Sequence, residues 1–595
     1  MALRACWMRG LGALTCAGGA VFAQSTQLVS LSTSGAQGDR NSHVPSVSPD
    51  GRWIAFLSDA TNLVAGDTND VTDVFVRDRQ TGSTERVSVS TSSAQGDAYC
   101  TSGSISADGR FVAFASYATT LVAGDTNGMS DIFLRDRLLG TTERLSVNPA
   151  GGQVFNHSFW PSISADGRFV AFYSLASTLV PVDTNGKWDI FVRDRQLGTT
   201  ELVSVDSSGA QADGNSSYPA LSADGRWVVF ASEATNLVAG DTNFARDLFV
   251  HDRNTGLTQR VSVDSSGAQA DGASADGPTA VSADGRFVAF DSGASNLVPG
   301  DTNGARDVFV RDQLLGTTVR VSVGTGGTQG AGLSEFPALS ADGHFVLFAS
   351  EAPNLVAGDS NGREDVFVRD LQTGTTERVN LGPGGAQADW GSLARWVSAD
   401  GRRVVFDSFA TNLVPGDQND CEDVLLCDRG APTGTTFCAG DGSSGSCPCA
   451  NFGSFGRGCA NSAATGGAFL TASGLPALAN DTLALTCTGE LPGVSSIFLQ
   501  GDAAIAPVTF GDGLRCVGGS LRRMYLHTAV GGTVNAPLAG ELTISARSAA
   551  LGDPLAAGAT RYYQVYYRDP VASFCPNPPG NSWNISSALS VVWQQ

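Results

Sequence analysis

The string Ser-Pro-Asp-Gly at 48–51 returns as Ser-Ala-Asp-Gly ending at Gly109, Gly167, Gly225, Gly285, Gly343 and Gly401, in steps of 58, 58, 58, 60, 58 and 58 residues. A period held this closely over seven copies restricts the chain to a solenoid or a propeller, because each unit must bury its apolar face against a similar neighbour. The content of a unit decides between them. After each Asp-Gly comes a run such as "RFVAFAS" (110–116), apolar on both faces, as expected of a strand covered on both sides. An Asp-Thr-Asn loop follows, then "DIFLRD" (131–136), a "LGTT" turn and "ERLSV" (143–147). The last alternates, which predicts a half-exposed outer strand with Leu145 and Val147 inward and Ser146 outward. A segment such as "PSIS" (161–164), ahead of the next Asp-Gly, supplies the innermost strand. Four antiparallel strands in each of seven units predict an all-β chain built around a seven-bladed β-propeller. The 72 glycines and only 4 methionines suit short strands and tight turns better than helices.

A ring of blades must close. The seventh unit ends "DVLLCDRGAPTGTTFCAGDGSSGS" (423–446), where Gly and Ser stand in place of an outer strand. The missing strand lies at the other end of the chain. "TQLVSLSTSGAQGD" (26–39) matches "TERVSVSTSSAQGD" (84–97) at an offset of 58, with Val29 over Val87 and Leu31 over Val89. The N-terminal strand is therefore expected to complete blade seven and to leave no open edge in the ring.

The units "SPDGRWIAF…DVFVRD" resemble the WD40-like repeats of TolB-type propellers over residues 24–430. The resemblance implies the propeller fold and an exported, bacterial type of protein, and it confers no particular activity. The α/β domain that TolB-type proteins carry ahead of the propeller has no counterpart in this sequence.

Residues 1–23 read as a secretion signal, with Arg4 and Arg9 before the apolar run "LGALTCAGGAVFA" and a cut expected at Gln24. Lipid attachment at Cys16 is the rival reading. No later stretch is long and apolar enough for a transmembrane helix, so a secreted protein, extracellular or periplasmic and monomeric, is expected. From 431 to 595 the repeat stops and seven cysteines follow, Cys438, Cys447, Cys449, Cys459, Cys487, Cys516 and Cys575, among alternating stretches. These predict a smaller β-sandwich-like domain held by disulfides, each contributing about 2–4 kcal/mol. Zinc at the Cys-Pro-Cys cluster is the alternative. Seven is odd, so one cysteine must pair with Cys421 or Cys427, pair between chains, or stay free.

A net charge of −21 excludes nucleic acid as a partner, since phosphates would be repelled. In a four-stranded blade the tight Asp-Gly and Thr-Gly turns share one face of the disk. The Asp-Thr-Asn loops and the blade-to-blade loops share the other. Long loops on a rigid scaffold are where binding resides, so a protein or glycan ligand is expected on the Asp-rich face. Trp160, Tyr218 and Phe336, each followed by Pro, are candidates to ring the channel mouth there as a stacking platform; the alternative is packing between blades. His43 and His157 lie on the same face and could serve a metal or acid–base site. His251 and His344 replace repeat arginines at positions expected to be exposed. "GDSNG" (358–362) matches a nucleophile-elbow string, but as a loop between antiparallel strands it lacks the strand-to-helix turn that an elbow requires. A binding or scaffold propeller, with no catalytic residue assigned, is the reading that results. A carbohydrate-active lyase or hydrolase working in the channel is the alternative, and a His or Tyr beside an Arg there would favour it.

The Asp-Thr-Asn loops offer hard oxygens at Asp67/Asn69/Asp73, Asp125/Asn127/Asp131, Asp183/Asn185/Asp189, Asp241/Asn243/Asp247, Asp301/Asn303/Asp307, Asp359/Asn361/Asp365 and Asp417/Asn419/Asp423. Ca²⁺ is thus a candidate cofactor, although each loop has fewer oxygens than a complete calcium loop. The competing reading is that Asp and Asn close turns onto their own backbone, with Gly at the fourth position left-handed in four loops and Asp70, Phe244 and Asp420 in its place elsewhere.

Overall fold

The computed structural model describes residues 24–429 without a break and, beyond them, 435–438, 447, 453, 457–462, 465–473, 476–479, 481–538, 540–569 and 583–594. The expected signal segment 1–23, Cys449 and Cys575 lie outside the described residues. Seven four-stranded antiparallel sheets form the blades of a β-propeller. Blade three, from inner to outer strand, comprises Ser158–Ile163, Phe169–Ser174, Asp189–Asp194 and Thr199–Leu202. Blade seven comprises Ser392–Val397, Arg403–Ser408 and Asp423–Asp428, and its outer strand is Ser25–Leu28 from the N-terminus.

That closing strand runs antiparallel to Asp423–Asp428 with Leu28 opposite Leu425. Val29 N–H donates to Val424 O at 2.8 Å, as Val87 N–H donates to Val74 O at 2.8 Å in blade one, so the 58-residue offset is reproduced in space. Val29 then packs between blades seven and one with Val47, Ile54, Phe56 and Leu426. The other cores also lie between blades. Ala113, Ala115, Ile132 and Leu134 of blade two meet Val170, Phe172 and Phe191 of blade three, all sealed from solvent. Each large side chain so buried contributes about 1.5–3 kcal/mol.

The tight-turn face locks neighbouring blades. Asp108 Oδ1 accepts from Ser106 Oγ at 2.6 Å and Arg110 N–H at 2.9 Å, which folds the Asp-Gly turn. Gly109 has φ +71°, and a Cβ there would fall on the Trp53 ring of the preceding blade. Trp53 is held between the guanidinium groups of Arg52 (4.4 Å) and Arg137 (4.1 Å), and Arg52 makes two hydrogen bonds to Asp78 at 3.0 and 2.8 Å.

Three expectations are corrected. Ser146 does not face solvent: it is fully buried, because its hydroxyl closes onto the Asp131 carboxylate at 2.5 Å. His251 is also buried, with Nδ1 2.8 Å from Thr258 Oγ1, replacing the Arg-to-Thr contact of other blades. His344 is half-buried beside Asp342 and Gln372.

Beyond the ring, Thr435–Phe437, Trp583–Val592, Thr560–Arg568, Ser495–Gly501 and Arg522–Thr528 form a five-stranded sheet. It shares one core (Leu485, Phe498, Met524, Tyr563, Trp593) with the three-stranded sheet Phe469–Ser473, Ala484–Thr488 and Thr533–Ala536. A short helix, Ile544–Ala550, capped by Thr543, also packs here; the alternating sequence did not announce it. Disulfides join Cys438 to Cys516 and Cys447 to Cys459, so Cys447 is committed to a disulfide and not to zinc. Cys421, Cys427 and the buried Cys487 are free thiols. No helix among the described residues is long and apolar enough to cross a membrane.

Candidate functional site

The Asp-rich loops are built from one repeated polar cluster. In blade two, Asn127 Oδ1 accepts from Met129 N–H at 2.9 Å, an Asx turn, while its Nδ2 donates to Asp131 Oδ2 at 2.9 Å and Val154 O at 2.8 Å. Arg144, at the end of the outer strand, puts Nη1 3.2 Å from Asp125 Oδ1 and 3.4 Å from Asp131 Oδ2. The same arginine bridge joins Arg86 to Asp67 and Asp73, Arg260 to Asp241 and Asp247, Arg320 to Asp301 and Asp307, and Arg378 to Asp359 and Asp365. In five blades the cation between the paired carboxylates is therefore a guanidinium.

The loop asparagines, candidate oxygen ligands for calcium, are engaged with groups of the chain itself. Their side-chain oxygens are spent on the turn: Asn127, Asn185, Asn243, Asn303, Asn361 and Asn419 each accept the backbone N–H two residues on, at 2.9–3.1 Å. Their nitrogens, not their oxygens, point into the cluster. Asn69, Asn243, Asn303 and Asn361 donate Nδ2 to the following aspartate, as Asn127 does. Asn185 and Asn419 donate to the backbone carbonyls of Ala212 (3.0 Å) and Gly38 (2.9 Å). Asn69 is the exception to the turn, with Oδ1 buried and accepting no hydrogen bond, yet its amide still turns nitrogen toward Asp73. An amide that donates to a carboxylate cannot also offer that carboxylate's cation an oxygen from the same side. The fourth loop position is left-handed whatever residue stands there, including Asp70 (φ +57°), Phe244 (+54°) and Asp420 (+50°).

Two blades depart from the arginine pattern. In blade seven Leu28 stands where the arginine would be, and Gln37 Nε2 bridges Asp417 at 2.8 Å and Asp423 at 2.7 Å. In blade three Leu202 takes the arginine position, and Asp183 Oδ1 and Asp189 Oδ2 accept no hydrogen bond. The signal for this was present in the repeat, as Leu202 and Leu28 against five arginines, but its meaning required the strand register.

The inner strands enclose a cavity of about 270 Å³ on the ring axis, lined by Trp160 and Phe336 among others. Tyr218 does not line it, although the following Pro219 does. Trp160, Tyr218 and Phe336 have φ of +55°, +52° and +53°, and Val44 before Pro45 has +49°. Left-handed residues ahead of proline cost about 1–3 kcal/mol each, and such strain gathers where a side chain must be aimed. Here each coincides with a register shift in the inner strand.

Around the mouth on the loop face, blades two to four carry a continuous strip of rings that the sequence reading only partly identified. Tyr99 meets Tyr117 (4.7 Å), Tyr117 meets His157 (5.6 Å), and His157 stacks on Phe159 (5.7 Å, 12°). Phe159 meets Tyr173 (5.8 Å) and Trp188 (5.9 Å), Tyr173 meets Tyr218 (6.2 Å), and Tyr218 stands edge-on to Trp160 (5.3 Å). All are partly or well exposed. Phe159, Tyr173 and Trp188 occupy different positions within the repeat, so periodicity could not group them. Phe336 lies apart, packed against the core between blades six and seven with the Arg395 guanidinium 5.9 Å from its ring.

The opposite sector of the mouth is acidic. Arg395 binds Asp407, which also accepts from Val44 N–H at 2.9 Å, and Arg306 binds Asp276 and Asp291. Glu364 is pushed up to about 7 by burial and by Glu335 and Glu351, and Glu422 is also raised, by burial and by Asp407. Asp189 and Asp423, on the loops, are raised to about 6, chiefly by burial. A carboxyl group whose folded pKa lies above its unfolded value of about 4 stabilises the fold while protonated, and that contribution is lost as pH rises through the folded value. The melting temperature is therefore expected to fall as pH rises from 5 to 8. A scan by circular dichroism checks this, and a flat or rising profile would contradict it.

The two histidines fill separate positions. His157 Nδ1 accepts from Ser130 N–H at 3.2 Å within the aromatic strip. His43 is mostly buried near Asp407 and Arg395, and desolvation lowers its pKa. Among the described residues no three His, Cys, Asp or Glu side chains converge as a metal-binding group. Ser360 of "GDSNG" is tied to Gln387, whose Oε1 accepts the Ser360 N–H at 3.1 Å and whose Nε2 donates to Ser360 Oγ at 3.2 Å. The Arg246 guanidinium lies 5.4 Å from the Tyr218 ring, but neither residue lines the cavity, so this pair falls outside the sequence criterion of a Tyr beside an Arg in the channel.

No protein-family model and no curated protein matches the sequence. Solved structures similar to the chain include TolB from Acinetobacter baumannii, 15% identical, with a TM-score of 0.30 over 57% of this chain and 64% of that one. An oligogalacturonate lyase in complex with manganese is 12% identical, with a TM-score of 0.41 over 69% of this chain and 98% of that one. The β-propeller domain of the trilobed protease from Pyrococcus furiosus is 13% identical, with a TM-score of 0.36 over 57% and 83%. The likeness is one of fold, to TolB-like and other β-propellers.

Proposed function

We propose that the chain is an exported, non-enzymatic propeller that binds a protein or glycan ligand across its loop face. The observation that carries this reading is the strip of half-exposed rings from Tyr99 to Trp160 beside the channel mouth. Such rings offer flat apolar faces for sugar rings or peptide side chains, and the acidic sector opposite offers acceptors for hydroxyl or cationic groups. Export is supported by the two disulfides, which form in oxidising compartments. Screening the full chain on glycan and peptide arrays tests the proposal. Retention of an intact ligand is the expected result, and no retention on either array would count against it.

The second reading is a polysaccharide lyase or hydrolase, and the Tyr218–Arg246 pair, an aromatic ring beside a cation at the edge of the channel mouth, is the contact to test for it. Incubation with polysaccharides separates the two. Chain cleavage that is lost in Arg246→Ala would establish the enzyme, and unchanged polymer would support binding alone.

A further inference from the structure

We propose that the Asp183/Asp189 pair of blade three holds a hydrated divalent cation where five other blades hold an arginine. The molecule supplies its own comparison. In those five blades the two carboxylates face one another across a guanidinium, Arg144 between Asp125 Oδ1 and Asp131 Oδ2 being the immediate neighbour. The outer strand of blade three keeps the same register, so Leu202 lies opposite Phe191 as Arg144 lies opposite Phe133. Leucine packs its stem against the core between blades two and three and brings no charge.

The atoms left over correspond to those the arginine would bridge. Asp183 Oδ1 and Asp189 Oδ2 are buried without a hydrogen bond, and the Asp189 residue is fully buried. Ser204 already donates to Asp189 Oδ1 at 2.6 Å, so Oδ2 is the free oxygen. Gln211, which could have bridged the pair as Gln37 does in blade seven, donates instead to Val182 O at 2.9 Å. An unpaired buried carboxylate is costly, and two facing ones more so. Two carboxylates and water suit a hard divalent ion: Mg²⁺ characteristically keeps its waters and takes one or two carboxylates, and Ca²⁺ accepts a similar oxygen set.

Isothermal titration calorimetry and thermal melting of the full chain test this, with MgCl2 and CaCl2 as separate probes against EDTA. One ion per chain is expected, with a dissociation constant of about 0.1–1 mM and a melting temperature raised by about 2–3 °C at 10 mM ion. Leu202→Arg should abolish the binding heat and melt in EDTA at least as high as the parent. Should that variant not fold, Asp183→Asn replaces it, and binding at least tenfold weaker is expected. Calcium and magnesium responses each support the site. No heat and no shift with either ion, or parent-like binding by the variants, overturns it.

Discussion

Removing residues 24–34 is expected to lower the melting temperature by about 10 °C or more and to make the protein aggregate. The deletion takes away the outer strand of blade seven, including the ladder from Ser25 opposite Asp428 to Leu28 opposite Leu425. It also removes Val29 from the core shared by blades seven and one, and the Ser30 hydroxyl that binds Asp423 at 2.5 Å. Contacts to blade six go as well, Gln24 to Arg378 O and Thr26 to Leu381 O. Burial of the lost apolar groups alone is worth about 3–5 kcal/mol, before the hydrogen bonds are counted. For a ring of about 400 residues the apolar loss alone corresponds to about 4–6 °C, and the hydrogen bonds lost with the strand, at about 1 kcal/mol each, bring the total to the shift stated. The strand left bare, Asp423–Asp428, reads "DVLLCD" and presents an apolar edge to other chains. Parent-like melting would show that the ring does not depend on this closure.

Arg144→Leu is expected to cost about 3–5 kcal/mol at pH 8, the usual penalty for stripping a buried carboxylate of its partner. The variant recreates in blade two the pattern natural to blade three, so Asp131 should move toward the value of about 6 found for Asp189. Because that raised pKa favours the protonated folded state, the loss should shrink by about 1–3 kcal/mol at pH 5. Adding Asp125→Asn, which removes one of the two facing charges, should recover part of the stability at pH 8. Urea unfolding at both pH values checks each statement. A loss independent of pH would mean that Arg144 acts by packing and not as the cation of the cluster.

The architecture could be read from the chain because its determinants are periodic. Gly109 and its counterparts recur where a left-handed turn abuts the ring of the preceding blade, and Val29 falls in register with Val87. The polar clusters were only half legible. Asp125, Asn127 and Asp131 stand close together in sequence, whereas their partners Arg144 and Ser146 arrive from the next strand but one. Nor does an asparagine's place in a loop say which end of its amide faces the carboxylates, as Asn69 and Asn127 show. The alternation of "ERLSV" assigned Ser146 to solvent, since a hydroxyl that buries itself on a carboxylate has the same pattern as one facing water. The aromatic strip was the least visible. Tyr117 follows a second strand, His157 precedes an inner one that holds Phe159, and Trp188 precedes a third, and only the radial packing of blades makes them neighbours. The cysteines gave their bridges away less readily still, because distance along the chain says nothing of the pairing of Cys438 with Cys516.

The most direct test of the functional reading is the affinity of the best array ligand for the parent, for Trp160→Ala/Trp188→Ala and for Trp390→Ala. Trp390 is a well exposed tryptophan in a loop on the same face, stacked on Arg363 at 4.3 Å, outside the strip. If the strip is the binding surface, the double variant should bind at least tenfold more weakly, about 1.4 kcal/mol, with its fold and melting temperature retained, while Trp390→Ala should bind like the parent. Parent-like binding by the double variant, or an equal loss in Trp390→Ala, would contradict it.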